Sequence, residues 1–256
     1  SRSHRSSYSP PLRPYCYHAT SQLKAPTNCS TVLWKVTPLF AQWISSPTNP
    51  LTANGILSPS SSVLELGCGI SGVIALCLAP QISRYTLTDQ SYVFKLIRQN
   101  LEENAEVVKK APGSRKAAQK GKKTAAGSSK AQEALDDKIR AVPLDWETDE
   151  VSNVISPGES FDAVIACDCI YNDALIAPLV ATCVDACRLR KKDDGEPTIC
   201  IVGQQLRSDE VFEGWLKEFH KSFKGYRVPD EMLIDGLKED SGFVVHVGLL
   251  RDELQE

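Results

Sequence analysis

Ser62-Val63-Leu64-Glu65-Leu66-Gly67-Cys68-Gly69-Ile70-Ser71-Gly72 decides the fold of this chain of 256 residues. A strand-like run passes directly into three glycines, and the apolar stretch Val73 to Leu78 follows as a helix. Strand, glycine turn and helix in that order open a βαβ unit, and glycines there let backbone approach a ligand closely.

Working outward, the pattern repeats. Arg84 to Thr88 reads as a short strand ending at Asp89, and a helix follows from about Tyr92 to Val108. Ile139 to Val142 is a third strand, leading into Pro143-Leu144-Asp145-Trp146. Phe161 to Cys167 is apolar apart from Asp162 near its start, as a strand buried on both faces requires. A helix from about Asn172 to Arg190 precedes the buried strand Thr198 to Val202. Val211, Phe212, Trp215, Leu216 and Phe219 share one face of a helix over 208–223. Met232 to Ile234 and Phe243 to Leu250 read as the last two strands. Upstream, Val32, Leu33, Val36, Leu39, Phe40 and Trp43 fall at helical spacing, with Pro38 near the start.

Strands separated by helices predict an α/β fold: a doubly wound, mostly parallel, Rossmann-like sheet with helices on both faces. The flanks divide the chain further. Residues 1–30 lack periodicity and read as a poorly ordered N-terminal segment, leaving 31–256 as one domain. Lys109 to Lys130 carries eight Lys/Arg and no acid, a low-complexity basic insertion at about 109–131. The chain opens on Ser, which reads as a fragment of a longer protein.

Composition removes several classes. Hydrophobic residues make up 42% and charged residues 24%, which excludes collagen-like, coiled-coil and wholly disordered chains. The net charge is −3, but outside the basic tract 21 basic residues face 32 acidic ones. An acidic body suits a basic substrate better than a dedicated nucleic-acid site. Nine cysteines, several inside apolar runs and none in a C-x-x-C pair, read as buried free thiols of a reducing compartment, cytoplasm or nucleus. With four scattered His, they predict no metal site.

Gly67-x-Gly69-x-x-Gly72 fits the dinucleotide fingerprint, and Asp89, 20 residues past Gly69, is placed to bond a ribose. An NAD-dependent oxidoreductase is therefore one reading. Glu65 argues against it, because a pyrophosphate is repelled by a neighbouring carboxylate while an amine is attracted. Asp145, Trp146 and Asp168 add polar and aromatic groups at the strand ends, with Trp146 able to stack on adenine and Asp145 to bond it. S-adenosylmethionine has ribose, adenine, an amino acid and a sulfonium, and no phosphate, so it suits this set. Without a ligand, Trp146 reads as core and Asp168 as a helix N-cap.

Together, Val63 to Gly72, Thr88-Asp89, Leu144-Asp145-Trp146 and Asp168-Cys169-Ile170-Tyr171 resemble the seven-β-strand protein lysine methyltransferases of methyltransferase family 16. Trp34-Lys35-Val36-Thr37-Pro38 and Asp168 to Asn172 look most like the fungal ribosomal lysine methyltransferase five branch. The resemblance covers roughly 31–108 and 138–250; the basic tract and residues 1–30 depart from it. It implies seven strands with an antiparallel last one, and methyl transfer from S-adenosylmethionine to a lysine of a large-subunit ribosomal protein. It also implies cofactor contacts by Trp34, Glu65, Gly67, Cys68, Gly69, Asp89, Asp145, Trp146 and Cys167.

The chemistry expected is an in-line displacement by a neutral amine. Asp168 would accept a hydrogen bond from the incoming amine, and Tyr171 would line its channel or pack on the fourth strand. The expected protein is monomeric, without a membrane segment. Rival acceptors are another protein such as a translation factor or chaperone, a small molecule, or RNA. Asp168 to Tyr171 stands where a nucleic-acid methyltransferase would carry an Asn-Pro-Pro-Tyr-type motif.

Overall fold

The structure, a computed structural model, describes residues 34–104, 137–191 and 195–251. The N-terminal segment and the basic tract lie outside the described residues. Seven strands form one sheet: β1 (Ser62–Leu66), β2 (Arg84–Asp89), β3 (Ile139–Pro143), β4 (Ala163–Cys167), β5 (Ile199–Gln205), β6 (Phe223–Arg227) and β7 (Phe243–Leu250). Their order is β3-β2-β1-β4-β5-β7-β6. The first five are parallel, and β7 runs antiparallel to both β5 and β6. The chain reverses direction across the sheet at β1 and β4, the crevice where ligands of such sheets bind.

Alternation along the strands sorts the core into two layers. Val63, Tyr85, Leu87, Ile165 and Ile201 face one side, with helices α1 (Val36–Ile44), α3 (Val73–Leu78) and α4 (Phe94–Glu103). Leu64, Leu66, Val164, Cys200 and Val202 face the other, with α5 (Val151–Val154), α6 (Ile176–Arg188) and α7 (Asp209–Ser222). A short α2 (Pro50–Ala53) stands in the loop before β1, capped by the Asn49 side chain. The first layer matters for function, because it carries Glu65 toward the strand ends. At the opposite edge, Asp162 ties β1 to β4. Its Oδ2 accepts from the Ser62 amide at 2.7 Å, and Arg190 pairs with Oδ1 at 2.9 Å.

One expected strand is corrected. Met232 to Ile234 is not a strand; a 3-10 turn covers Asp230–Met232. The Met232 carbonyl accepts from the Trp43 indole N–H at 2.8 Å, so this segment closes over α1 instead of pairing in the sheet. The sixth strand is Phe223–Arg227, which the helical pattern of α7 hides by running straight into it. It fits because Gly225 and Gly248 lie opposite each other and leave room for the Phe219 ring. The expected strand at Thr198 to Val202 also extends further, to Gln205.

Gly203 shows how tightly α1 sits. A Cβ there would lie 2.6 Å from Phe40 Cδ2, so the β5 backbone is in direct contact with the α1 aromatic. Gly203→Ala should therefore destabilise the fold by about 1–3 kcal/mol through overpacking. Denaturant unfolding checks this, and Phe40→Leu in the same chain should recover part of the loss by making room.

Candidate functional site

The site is built where β1, β2 and β4 end. Gly67, Gly69 and Gly72 all adopt positive φ, 65°, 61° and 57°, which a side chain would strain. Gly67 has a second reason to lack one: a Cβ would lie 2.8 Å from both Trp146 Cζ2 and Cys169 Sγ. The loop is held from three directions. The Gly69 amide donates to Asp89 Oδ2 at 2.8 Å, the Cys68 amide to the Thr88 carbonyl at 3.1 Å, and Asn100 Nδ2 to the Ile70 carbonyl at 2.8 Å.

These elements enclose a cavity of about 160 Å³. All eleven residues expected from the sequence line it: Trp34, Glu65, Gly67, Cys68, Gly69, Asp89, Asp145, Trp146, Cys167, Asp168 and Tyr171. Among its lining residues five are acidic, Glu65, Asp89, Asp145, Glu147 and Asp168, and none is Lys or Arg. A phosphate has no cation to meet there. A ligand carrying amino and sulfonium groups meets the carboxyls of Glu65, Asp89, Asp145 and Glu147, so the lining suits S-adenosylmethionine better than a dinucleotide.

Each group has its own setting. Glu65 is buried, accepts from the Tyr85 hydroxyl at 2.8 Å, and has its carboxyl raised from 4.5 to about 8 by burial, partly offset by Tyr85 and reinforced by Asp89. Asp89 is also raised, again chiefly by burial, against the hydrogen bonds from Gly69 and Gln90 that lower it. Asp145 organises the turn after β3, accepting from the Glu147 amide at 3.0 Å and Gln90 Nε2 at 3.3 Å. Trp146 lays its ring edge over Gly67, and its buried indole N–H has no acceptor among the described residues. Burial raises the thiols of Cys68, Cys167 and Cys169 well above their ordinary value, so they are neutral lining atoms and not nucleophiles.

Asp168 departs from expectation. It does not cap the following helix; Asn172 does, accepting from the Ala174 amide at 3.0 Å. Its carboxylate is engaged by other protein groups. Arg207 donates to both oxygens, at 2.8 and 2.6 Å, and the Gln205 amide donates to Oδ1 at 3.2 Å. The side chain is 0% exposed and the residue 5%, so the pocket meets its main chain. Asp168 is the one described non-glycine residue at positive φ, 61°, and this clamp holds it there. The Arg207 guanidinium also lies 4.8 Å from the Trp34 ring centroid, a cation–π contact. Tyr171 is 57% exposed and lines the cavity, so it stands at the mouth.

Sequence reading missed Arg207, a lone basic residue in a loop with no periodic signal. It also missed Gln90, Tyr92 and Leu175 along the rim. Gln90 and Tyr92 were within reach of the strand-end rule, since both lie within three residues of the end of β2.

A family model described as "Lysine methyltransferase" matches residues 20–115 and 124–219. The chain is 30% identical over 230 residues to ribosomal lysine N-methyltransferase 5 of Zygosaccharomyces rouxii, covering 80% of the chain and 71% of the relative. It is 24% identical over 225 residues to the Lachancea thermotolerans protein of the same name, covering 72% of the chain and 65% of the relative. A methyltransferase from Pyrococcus furiosus has a similar fold, with a TM-score of 0.52 at 12% identity over 92% of this chain and 93% of that one.

Two outcomes follow from this geometry. Between pH 4.5 and 8 the folded protein keeps a Glu65 proton that the unfolded chain has released, so stability falls as pH rises through that window. Glu65→Gln should remove this slope and be more stable than the parent by on the order of 3 kcal/mol near pH 7, measured by denaturant titration across pH. Arg207→Met leaves a buried carboxylate without its counter-charge and should cost about 3 kcal/mol, whereas Arg207→Lys should cost less.

Proposed function

Because the chain belongs to the lysine methyltransferase family, and so is an S-adenosylmethionine-dependent methyltransferase, we propose that its acceptor is a lysine ε-amine on a large-subunit ribosomal protein. The observation that carries the reading is the lining of the pocket: Asp89, Asp145, Glu147 and the buried Glu65 present carboxyl groups there, and no lining residue is Lys or Arg. Such a site draws in a cationic side chain and repels a nucleic-acid backbone. The names of the relatives support the ribosomal substrate.

In this reading Asp89 and the Gly67–Gly69 loop hold the ribose and neighbouring groups. Trp146 and Asp145 flank the adenine, and Glu65 and Trp34 lie toward the amino acid end. S-adenosylmethionine supplies a methyl group on a positive sulfur, so the bond that breaks is already activated. The remaining work is positional. Trp34 and Tyr171 form the aromatic sides of the acceptor's entry, while the acidic rim brings the ammonium to it. Entry between these rings strips water from the amine and lowers its pKa from about 10.4, favouring the neutral form that can attack. Asp168 acts as a positioning residue: locked to Arg207, it fixes the turn that presents its main chain and Tyr171 to the entry.

Incubating the protein with methyl-labelled S-adenosylmethionine and undermethylated large ribosomal subunits should label one ribosomal protein on lysine. Asp89→Ala should reduce incorporation by at least about 100-fold, because it loses both the ribose contact and the bond that shapes the glycine loop. Label confined to RNA, or to a protein outside the ribosome, would refute the substrate assignment.

A further inference from the structure

A second, shallower cavity of about 40 Å³ adjoins the acceptor end of the pocket. Tyr171 lines both. The wall between them is the Asp168–Arg207 ion pair, with Asp168 on the deep side and Arg207 on the shallow side. The lining includes Gln204 from the end of β5, with Val211 and Phe212 from the first turns of α7. This volume is too small for a cofactor and ample for a peptide carbonyl or a small side chain.

Gln204 is out of place as a core residue. Cys200 and Val202 precede it on the same face of β5, where an apolar side chain would continue the layer. It is 2% exposed, yet its Nε2 donor has no acceptor among the described residues. A buried donor without a partner costs stability, and its retention beside a reaction site points to a partner that arrives with the substrate. The rim points the same way. Tyr171, 57% exposed, stands at the shared mouth. An exposed aromatic ring at the mouth of a polar-floored cleft suits a docking polypeptide.

We propose that this shallow cavity seats the substrate residue next to the target lysine, and that Gln204 donates a hydrogen bond to a carbonyl oxygen of that segment. The inference rests on the reading that the acceptor is a protein lysine. Lysine reaches past Tyr171 into the deep pocket while its neighbour fills the side cavity, so the enzyme reads the chain as well as the amine.

The test uses the full chain, methyl-labelled S-adenosylmethionine and undermethylated total cell protein, so that it does not depend on which protein is the acceptor. Gln204→Leu removes the orphan donor, and Val211→Phe narrows the cavity. Both should bind S-adenosylmethionine as the parent does, since neither residue lines the deep pocket. Gln204→Leu should melt no lower than the parent, yet its KM for the labelled protein should rise about tenfold, the worth of one hydrogen bond. Val211→Phe should raise KM in the same sense. A role in folding alone predicts a change in melting and none in KM. Label on protein lysine with unchanged KM in both variants would overturn this inference and leave the lysine reading standing. Label confined to RNA or small molecules would overturn both.

Discussion

The hydrogen bond from the Gly69 amide to the Asp89 carboxylate, 2.8 Å long, is the constraint on which the site depends. It joins the loop after β1 to the end of β2, so the two strand ends act as one rigid edge. The same loop is tied again by Cys68 to Thr88 and by Ile70 to Asn100 of α4. Three glycines at positive φ make the loop possible, and the three bonds make it single-valued. Trp146 can then close over Gly67, and Cys169 can pack beneath it, donating its thiol to the Leu66 carbonyl at 3.2 Å. Without that edge the aromatic wall and the acidic floor would have no common frame.

Electrostatics turns this frame into a selective one. Glu65 is held in a buried place where no cation among the described residues pairs with it, and its proton is retained to about pH 8. Asp89 is raised beside it for the same reason. The folded chain tolerates two desolvated carboxyls, a cost that makes sense for a protein whose ligand brings the positive charge. Across the mouth, Asp168 is handled in the opposite way. Its carboxylate accepts three hydrogen bonds, two from Arg207 and one from the Gln205 amide, and it shapes the entry by holding backbone. Three carboxylates of one pocket thus serve different ends because their partners differ.

Much of this was legible in the sequence. The continuous apolar run of β4, the strand-to-glycine junction at Leu66-Gly67 and the strand-terminal Asp89 each report a local constraint, and all the expected lining residues converge on the cavity. What was not legible depends on contacts between distant segments. Arg207 has no local pattern, and its role appears only when the sheet brings it to Asp168, 39 residues earlier. Gln204 and Gln205 look like loop residues because polar side chains end the apolar run, although pairing with β7 continues through both. Met232 to Ile234 looks like a strand because it is apolar, but one of its carbonyls serves the Trp43 indole. Asp168 itself lines the cavity as expected, but its pairing with Arg207 was not legible, since a sequence shows a carboxylate and not what satisfies it.

The account's central claim is that the pocket is a buried acidic receptor for a cationic cofactor. Calorimetric titration with S-adenosylmethionine near pH 7, repeated in two buffers of different ionisation enthalpy, tests it most directly. The account predicts saturable binding with net proton release, lost in Glu65→Gln, and no binding of NAD under the same conditions. Binding of NAD in place of S-adenosylmethionine, or binding of S-adenosylmethionine with no proton released, would contradict it.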